Sequence, residues 1–449
     1  MFFDLSLFLI PFLFVLFIVF LALSNVSLIS GRYSYLFIFI LFNLGFSAWF
    51  GTYLVAGDFI VADRLKGISK TVKNSIYIYV SFAVFIQLLL IYCYSMLRNV
   101  KPQTYLNFRF TNSQEKEYKY LIVALLFLVL SYSLIKYFIF YPVSPLIMAI
   151  KGDIINAALV RADIQKGLIK VDLPYISKVV FFLSFYCVIF AMILKNTFKT
   201  KLYTLVFLIA LLNAILFLTF DGQKGPVLTL ILMMCVTYLY LNGLTKSLFI
   251  YLFGVVVLVV VFYSVMLGGE SDFFSILLRV FDRVLTGQNQ AMYFFEQYYS
   301  PNLTGVFSDF YFSGALGLDE IKPDEAIVGY IYSDTEHLVN ANTFYLGEVI
   351  AFFSSDSVWL FSFIVSFIII MYMYFFDFLI KKNRIIYWPA ALIFFSTLPI
   401  NQSLQFIIYQ KFYFYFIVFA LLPLVILRKM VKIFIFNKAS LSKGINSYD

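Results

Sequence analysis

The chain has 449 residues, 63% of them hydrophobic and only 13% charged. A soluble protein carries about a quarter charged residues, so these values and a mean hydropathy of +0.93 exclude a soluble globular class and predict an integral membrane protein. The net charge of +9 reports basic anchoring residues at a membrane surface and does not imply nucleic acid.

Apolar runs long enough to cross a bilayer recur along the chain. They centre on 5–23, 34–56, 76–97, 119–141, 175–194, 202–220, 226–241, 247–267, 357–380, 386–404 and 409–427. The expected fold is therefore all-α and polytopic, a single membrane domain of about eleven spans (roughly ten to twelve). The first run lacks a basic leader and a small-residue cleavage site, so it reads as a retained helix. Cys93, Cys187 and Cys235 each lie inside an apolar run without a CxxC spacing, which argues against a disulfide framework or a zinc site.

Basic clusters set the expected orientation. Arg98 to Lys119, Lys195 to Lys201, Lys381 to Arg384 and Arg428 to Lys443 fall on one side, taken as cytoplasmic, with residues 439–449 as a tail. The loops 143–174 and 268–356 and the turn 221–225 then fall together on the outer face. The 57–74 loop is the weak point, because it carries Arg64, Lys66, Lys70 and Lys73 yet is placed outside.

Four outer segments carry the candidate chemistry. In the 143–174 loop, Arg161 offers a forked donor suited to a diphosphate or sugar acid; the alternative is an ion pair with Asp163 or interfacial snorkelling. The turn Phe220 to Pro226 places Gln223 and Lys224 just before a helix N-terminus, where an anion is favoured, although it also reads as a plain hairpin turn. Residues 272–299 pattern as one amphipathic helix whose polar stripe holds Arg279, Asp282 and Arg283, with two guanidinium groups one turn apart. A solvated stripe, with Asp282 neutralising one arginine, explains the same pattern. The fourth segment, Glu336 to Glu348, holds the chain's only histidine, His337, the natural general base near neutral pH, with Asp334 and Glu348 as rivals. A lone histidine also serves as a hydrogen-bonded structural residue. Asn342 begins helical character as a possible cap, and Glu348 faces burial ahead of an apolar run.

No Walker A loop, GxSxG, HExxH or DxD-like motif is present, which disfavours a nucleotide-driven pump or a metal-dependent sugar-nucleotide transferase. No cofactor is expected.

The layout resembles the bacterial O-antigen (oligosaccharide repeat-unit) polymerases of the Wzy type. The resemblance rests on the many aromatic spans with two outer loops, on Arg161 with Gly167, on Phe220 to Val227, on Arg279 to Arg283, and on Asn342 to Glu348 leading into a span. Ser354 to Ser357 departs from a glycine-containing turn often found after that last segment. The resemblance implies a metal-independent, GT-C-like glycosyltransferase in the bacterial inner membrane, facing the periplasm. It implies undecaprenyl-diphosphate-linked glycans as donor and acceptor, with a chain-length regulator as partner. His337, Arg161, Arg279 and Arg283 would be catalytic; Lys224, Gln223, Asp282, Asn342 and Glu348 would bind the diphosphate or sugars. Rival readings are a lipid-linked oligosaccharide flippase and an O-antigen ligase.

Overall fold

The computed structural model describes residues 33–59, 65–98, 111–165, 167–223, 225–243, 285–301, 303–307, 343–401 and 403–445, with short stretches near residues 10–15, 245–257, 278–283 and 313–331. In chain order the principal helices are α1 (Ser34–Ala56), α2 (Lys70–Leu97), α3 (Asn112–Phe140), α4 (Pro145–Ile150), α5 (Ile154–Gln165), α6 (Ile176–Phe198) and α7 (Lys201–Thr219). They continue as α8 (Gly225–Asn242), α9 (Gln290–Tyr298), α10 (Tyr345–Phe353), α11 (Val358–Lys382), α12 (Arg384–Thr397), α13 (Leu404–Ile408) and α14 (Lys411–Asn437).

Among the described residues, eight helices are long and apolar enough to cross a membrane: α1, α2, α3, α6, α7, α8, α11 with its leading turn, and α14. A helix satisfies every backbone donor and acceptor within itself, which is the requirement hydrocarbon imposes. Polar residues mark the helix starts. Ser69 accepts from the Val72 amide at α2, Thr200 from the Tyr203 amide at α7, and Thr111 forms a capping box with Gln114 at α3.

Eight expected spans correspond to these helices. The spans expected at 5–23 and 247–267 fall almost wholly outside the described residues. The span expected over 386–404 is corrected: α12 ends at Thr397, and its 14 residues reach only about 21 Å. Pro399 is the cause, since it has no amide hydrogen and forces Leu398 out of the helical region. The chain turns, and Ser403 caps the short helix α13 by accepting from the Gln405 amide. Proline also explains a distortion in α14. Pro423 cannot donate to the preceding turn, and the helix widens to a π form over Ile417–Leu421.

The chain divides into two compact units. Unit 1 comprises Met1–Thr104, Val256–Lys382 and Phe395–Tyr413. In it α11 packs along α2, with Trp359 edge-on to Phe82 at 4.5 Å between ring centroids. The short helices α9 and α10 pack against each other, and Tyr345 to Phe352 are all buried. Irregular backbone at such a place is tolerated only when protein surrounds it. Accordingly, the Tyr345 amide donates to the Ile400 carbonyl at 3.0 Å.

Unit 2 comprises Tyr105–Val255, Asn383–Phe394 and Phe414–Asp449. Helix α6 is its centre: Phe182 to Leu194 form an almost unbroken buried stretch against α3, α7 and α8. Such all-round apolarity marks a helix enclosed by other helices.

Candidate functional site

Unit 2 gathers polar groups at the end where α3 finishes and α6 begins. Lys136, near the end of α3, is 3% exposed and donates to Asp172 at 2.8 Å and Asp221 at 3.1 Å. An ammonium at this depth requires partners, and two carboxylates supply them. Its charge also lies 4.5 Å from the centre of the Phe220 ring, a cation–π contact. Burial pushes the Asp221 carboxyl above its usual range; Lys136 opposes that shift and the charge of Asp172 adds to it. Tyr132 belongs to the same group, accepting from the Leu173 amide at 3.3 Å.

These bonds fix the 143–174 segment at both ends. At its start Ser144 Oγ donates to the Phe220 carbonyl at 2.9 Å, and at its finish Asp172 is held by Lys136. Arg161 sits on α5, inside the segment so anchored, and is half-buried. Gln223, also half-buried, follows directly in the turn that carries Phe220 and Asp221. Two of the expected polar segments therefore share one end of unit 2. Lys224, the third candidate there, lies outside the described residues.

Unit 1 carries Asp282, Arg283 and Glu348. The single amphipathic helix expected over 272–299 is corrected within its described part. A helical turn at Phe281 to Arg283 stops at Thr286, whose hydroxyl donates to the Asp282 carboxylate and carbonyl. Gly287 follows, and the chain turns to Asn289. Arg283 is exposed and Asp282 half-buried. The next helix, α9, is not interfacial, because Gln290 to Phe295 are buried. The physical reason is a set of anchors: Asn289 Nδ2 donates to the Ser47 carbonyl at 2.6 Å, and Gln297 Nε2 donates to the Gly67 carbonyl at 2.8 Å.

Helix α9 also carries a titratable group that sequence reasoning missed. Glu296 is half-buried, and burial first, then the charge of Asp356, raises its pKa to about 7. A carboxyl poised near neutrality can take up or release a proton at that pH. The only sequence signal was a glutamate amid aromatic residues at helical spacing, which does not distinguish a buried carboxyl from a solvated one.

Glu348 is 3% exposed, as its apolar surroundings predicted. Its Oε2 accepts from Ser403 Oγ at 2.9 Å, the Leu404 amide at 2.8 Å and the Gln405 amide at 3.3 Å. The carboxylate closes the N-terminus of α13, the favoured place for a negative charge. Gln405 in turn donates to the Gly305 carbonyl at 3.3 Å. Glu348 thus holds a break in the helical backbone in place.

His337, Arg279 and Asn342, with the rival base Asp334, lie outside the described residues. Among the described residues, no group of three or more His, Cys, Asp or Glu side chains is placed to hold a metal ion. No known protein family, curated protein or solved structure matches the chain.

Proposed function

We propose that this protein is a polytopic glycosyltransferase of the O-antigen polymerase type, joining lipid-diphosphate-linked oligosaccharide repeat units in the bacterial inner membrane with its chemistry on the periplasmic side. The observation that best supports this reading is the anchoring of the Arg161 segment and the Gln223 turn at one end of unit 2 through buried Lys136. A lipid-linked diphosphate places its anion at the end of membrane-crossing helices, and a donor fork held there by a rigid network can meet it without reorganising.

In the proposed reaction, an acceptor sugar hydroxyl attacks the anomeric carbon of the donor glycan. The new glycosidic bond forms as the bond from that carbon to the diphosphate oxygen breaks. Undecaprenyl diphosphate leaves with its electron pair, and the hydroxyl proton passes to a base. The candidates for the leaving anion are Arg161 with Lys224 in unit 2 or Arg279 with Arg283 in unit 1, and the candidates for substrate contacts are Gln223, Asp282 and Asn342. For the base, His337 is the sequence candidate and Glu296 the structural one, since a pKa of about 7 suits the task.

The test is genetic. Deletion of the gene in its host, followed by electrophoresis of surface polysaccharide, is expected to leave core bearing a single repeat unit. Bare core would point instead to a flippase or ligase, and unchanged polymer would end the proposal outright.

A further inference from the structure

The opposite end of unit 2 holds a cavity of about 710 Å³ between α6, α7 and α8. Its lining is graded along the helices. At the helix ends it is polar, with Lys195, Asn196 and Lys199 of α6, Thr204 of α7 and Tyr238 and Asn242 of α8. Deeper, it is apolar, with Phe207, Leu211, Ile231 and Met234. From Asn242 back to Ile231 the wall runs about 16 Å along the helix axis.

The charge at the polar end has one sign. Among the described residues, no acidic side chain lines the cavity. From Leu173 to Gly269 the sequence contains one acidic residue, Asp221, which lies at the far end with Lys136. Lys195 lies in the last turn of α6 and Lys199 follows the helix end, where its amide donates to the Lys195 carbonyl at 3.0 Å, and both line the cavity. Lys195 is held to the cavity wall, its ammonium 4.8 Å from the centre of the Phe207 ring. Lys199 ends α6 in the left-handed region, at φ 51°. Glycine is the usual residue at such a helix end, because a side chain costs strain there. Lys201 follows at the start of α7, whose N-terminus favours an anion, while α6 and α8 end at the same place with C-termini of the opposite sign, so the lysine ammonium groups are what can hold an anion there.

We propose that this cavity is a binding site for one anionic glycerophospholipid. Its phosphodiester is seated at Lys195 and Lys199, and one acyl chain lies along Phe207, Leu211 and Met234. The site is independent of the proposed transfer reaction. Its shape excludes a free anion as the intended ligand, since most of the wall offers only apolar contact. A zwitterionic phospholipid fits the wall but brings its own cation to the lysines.

The experiment is native mass spectrometry of the full-length protein in mild detergent. It is offered phosphatidylglycerol or phosphatidylcholine of identical acyl chains. Phosphatidylglycerol is expected to be retained preferentially. Lys195→Ala and Lys199→Gly are each expected to lower its retention about fivefold, the effect of one basic residue at an anionic lipid surface. Lys199→Gly relieves the left-handed strain, so its thermal midpoint is expected to hold or rise while lipid is lost. Lys195→Arg keeps the charge and should restore retention. Met234→Trp fills the acyl groove with both lysines intact and should also expel the lipid. Lys151→Ala, at the other end of unit 2, should change nothing. Equal retention of the two lipids, full retention in both lysine variants, or displacement of the lipid by equimolar inorganic phosphate would each overturn the proposal.

Discussion

Lys136 has two carboxylates and an aromatic face around one buried ammonium. Replacing it with Met leaves Asp172 and Asp221 without their cation. A fully buried pair broken in this way costs 3–5 kcal/mol. Both carboxylates retain some exposure, so a loss of about 2–3 kcal/mol is expected for Lys136→Met by denaturant unfolding in detergent. Adding Asp221→Asn to Lys136→Met should recover part of that loss; an additive double variant would show that the two residues do not interact. Glu296 gives a pH prediction. Its folded pKa of about 7 lies above the ordinary 4.5, so the fold favours the protonated form. Its contribution is full below about pH 4.5 and is lost as pH rises through about 7. The thermal midpoint should therefore fall more between pH 5 and pH 8 in the wild type than in Glu296→Gln. Equal slopes would mean that the carboxyl is not buried as described.

At the scale of elements, close approaches and caps decide where helices stop and how they meet. Gly51 in α1 has no room for a side chain, since an added Cβ would lie 1.9 Å from the Leu285 carbonyl oxygen. Gly51→Ala should force the 285–289 turn off α1 and destabilise unit 1 by about 1–3 kcal/mol, the usual cost of overpacking. A neutral result would show that the turn is not seated there. Glu348→Ala removes the acceptor of three donors at the start of α13. Loss of about 3 kcal/mol is expected, because donors left buried without a partner bear their full desolvation cost. The eight helices long and apolar enough to cross a membrane were legible because hydropathy is a local property of each run. The break after Thr397 was less so: the apolar run continues through Leu398 and Ile400, and Pro399 alone signals the stop. The 272–299 pattern misled for a different reason. Buried and interfacial amphipathic helices share one periodicity, and only the partners of Asn289 and Gln297 tell them apart.

At the scale of the whole molecule, the predictions concern chain growth. Arg161→Ala and Arg283→Ala should leave the protein in the membrane at normal abundance while slowing polymer formation on the order of a hundredfold, the effect of removing one donor from a developing anion. Polysaccharide length on a gel and protein abundance by immunoblot are the two readouts. Normal polymer in both variants would remove the diphosphate-clamp assignment. The lipid cavity stands apart from this chemistry, and its lysine variants need not alter polymer length.

Composition and apolar periodicity were enough to determine an all-helical membrane protein, most of its spans, and the shared end of the 143–174 segment and the 221–225 turn. Those properties follow from local hydrophobicity and the parity of crossings. The tertiary structure decided what polar residues do once they are buried. Lys136 is the hub that ties two segments together. Glu348 looked like a substrate ligand and caps a broken helix. Glu296 drew no notice and has a pKa near neutrality. The physical reason is common to all three: in a low-dielectric interior a charged group is governed by the partners that folding brings to it, and those partners lie tens of residues away in the chain.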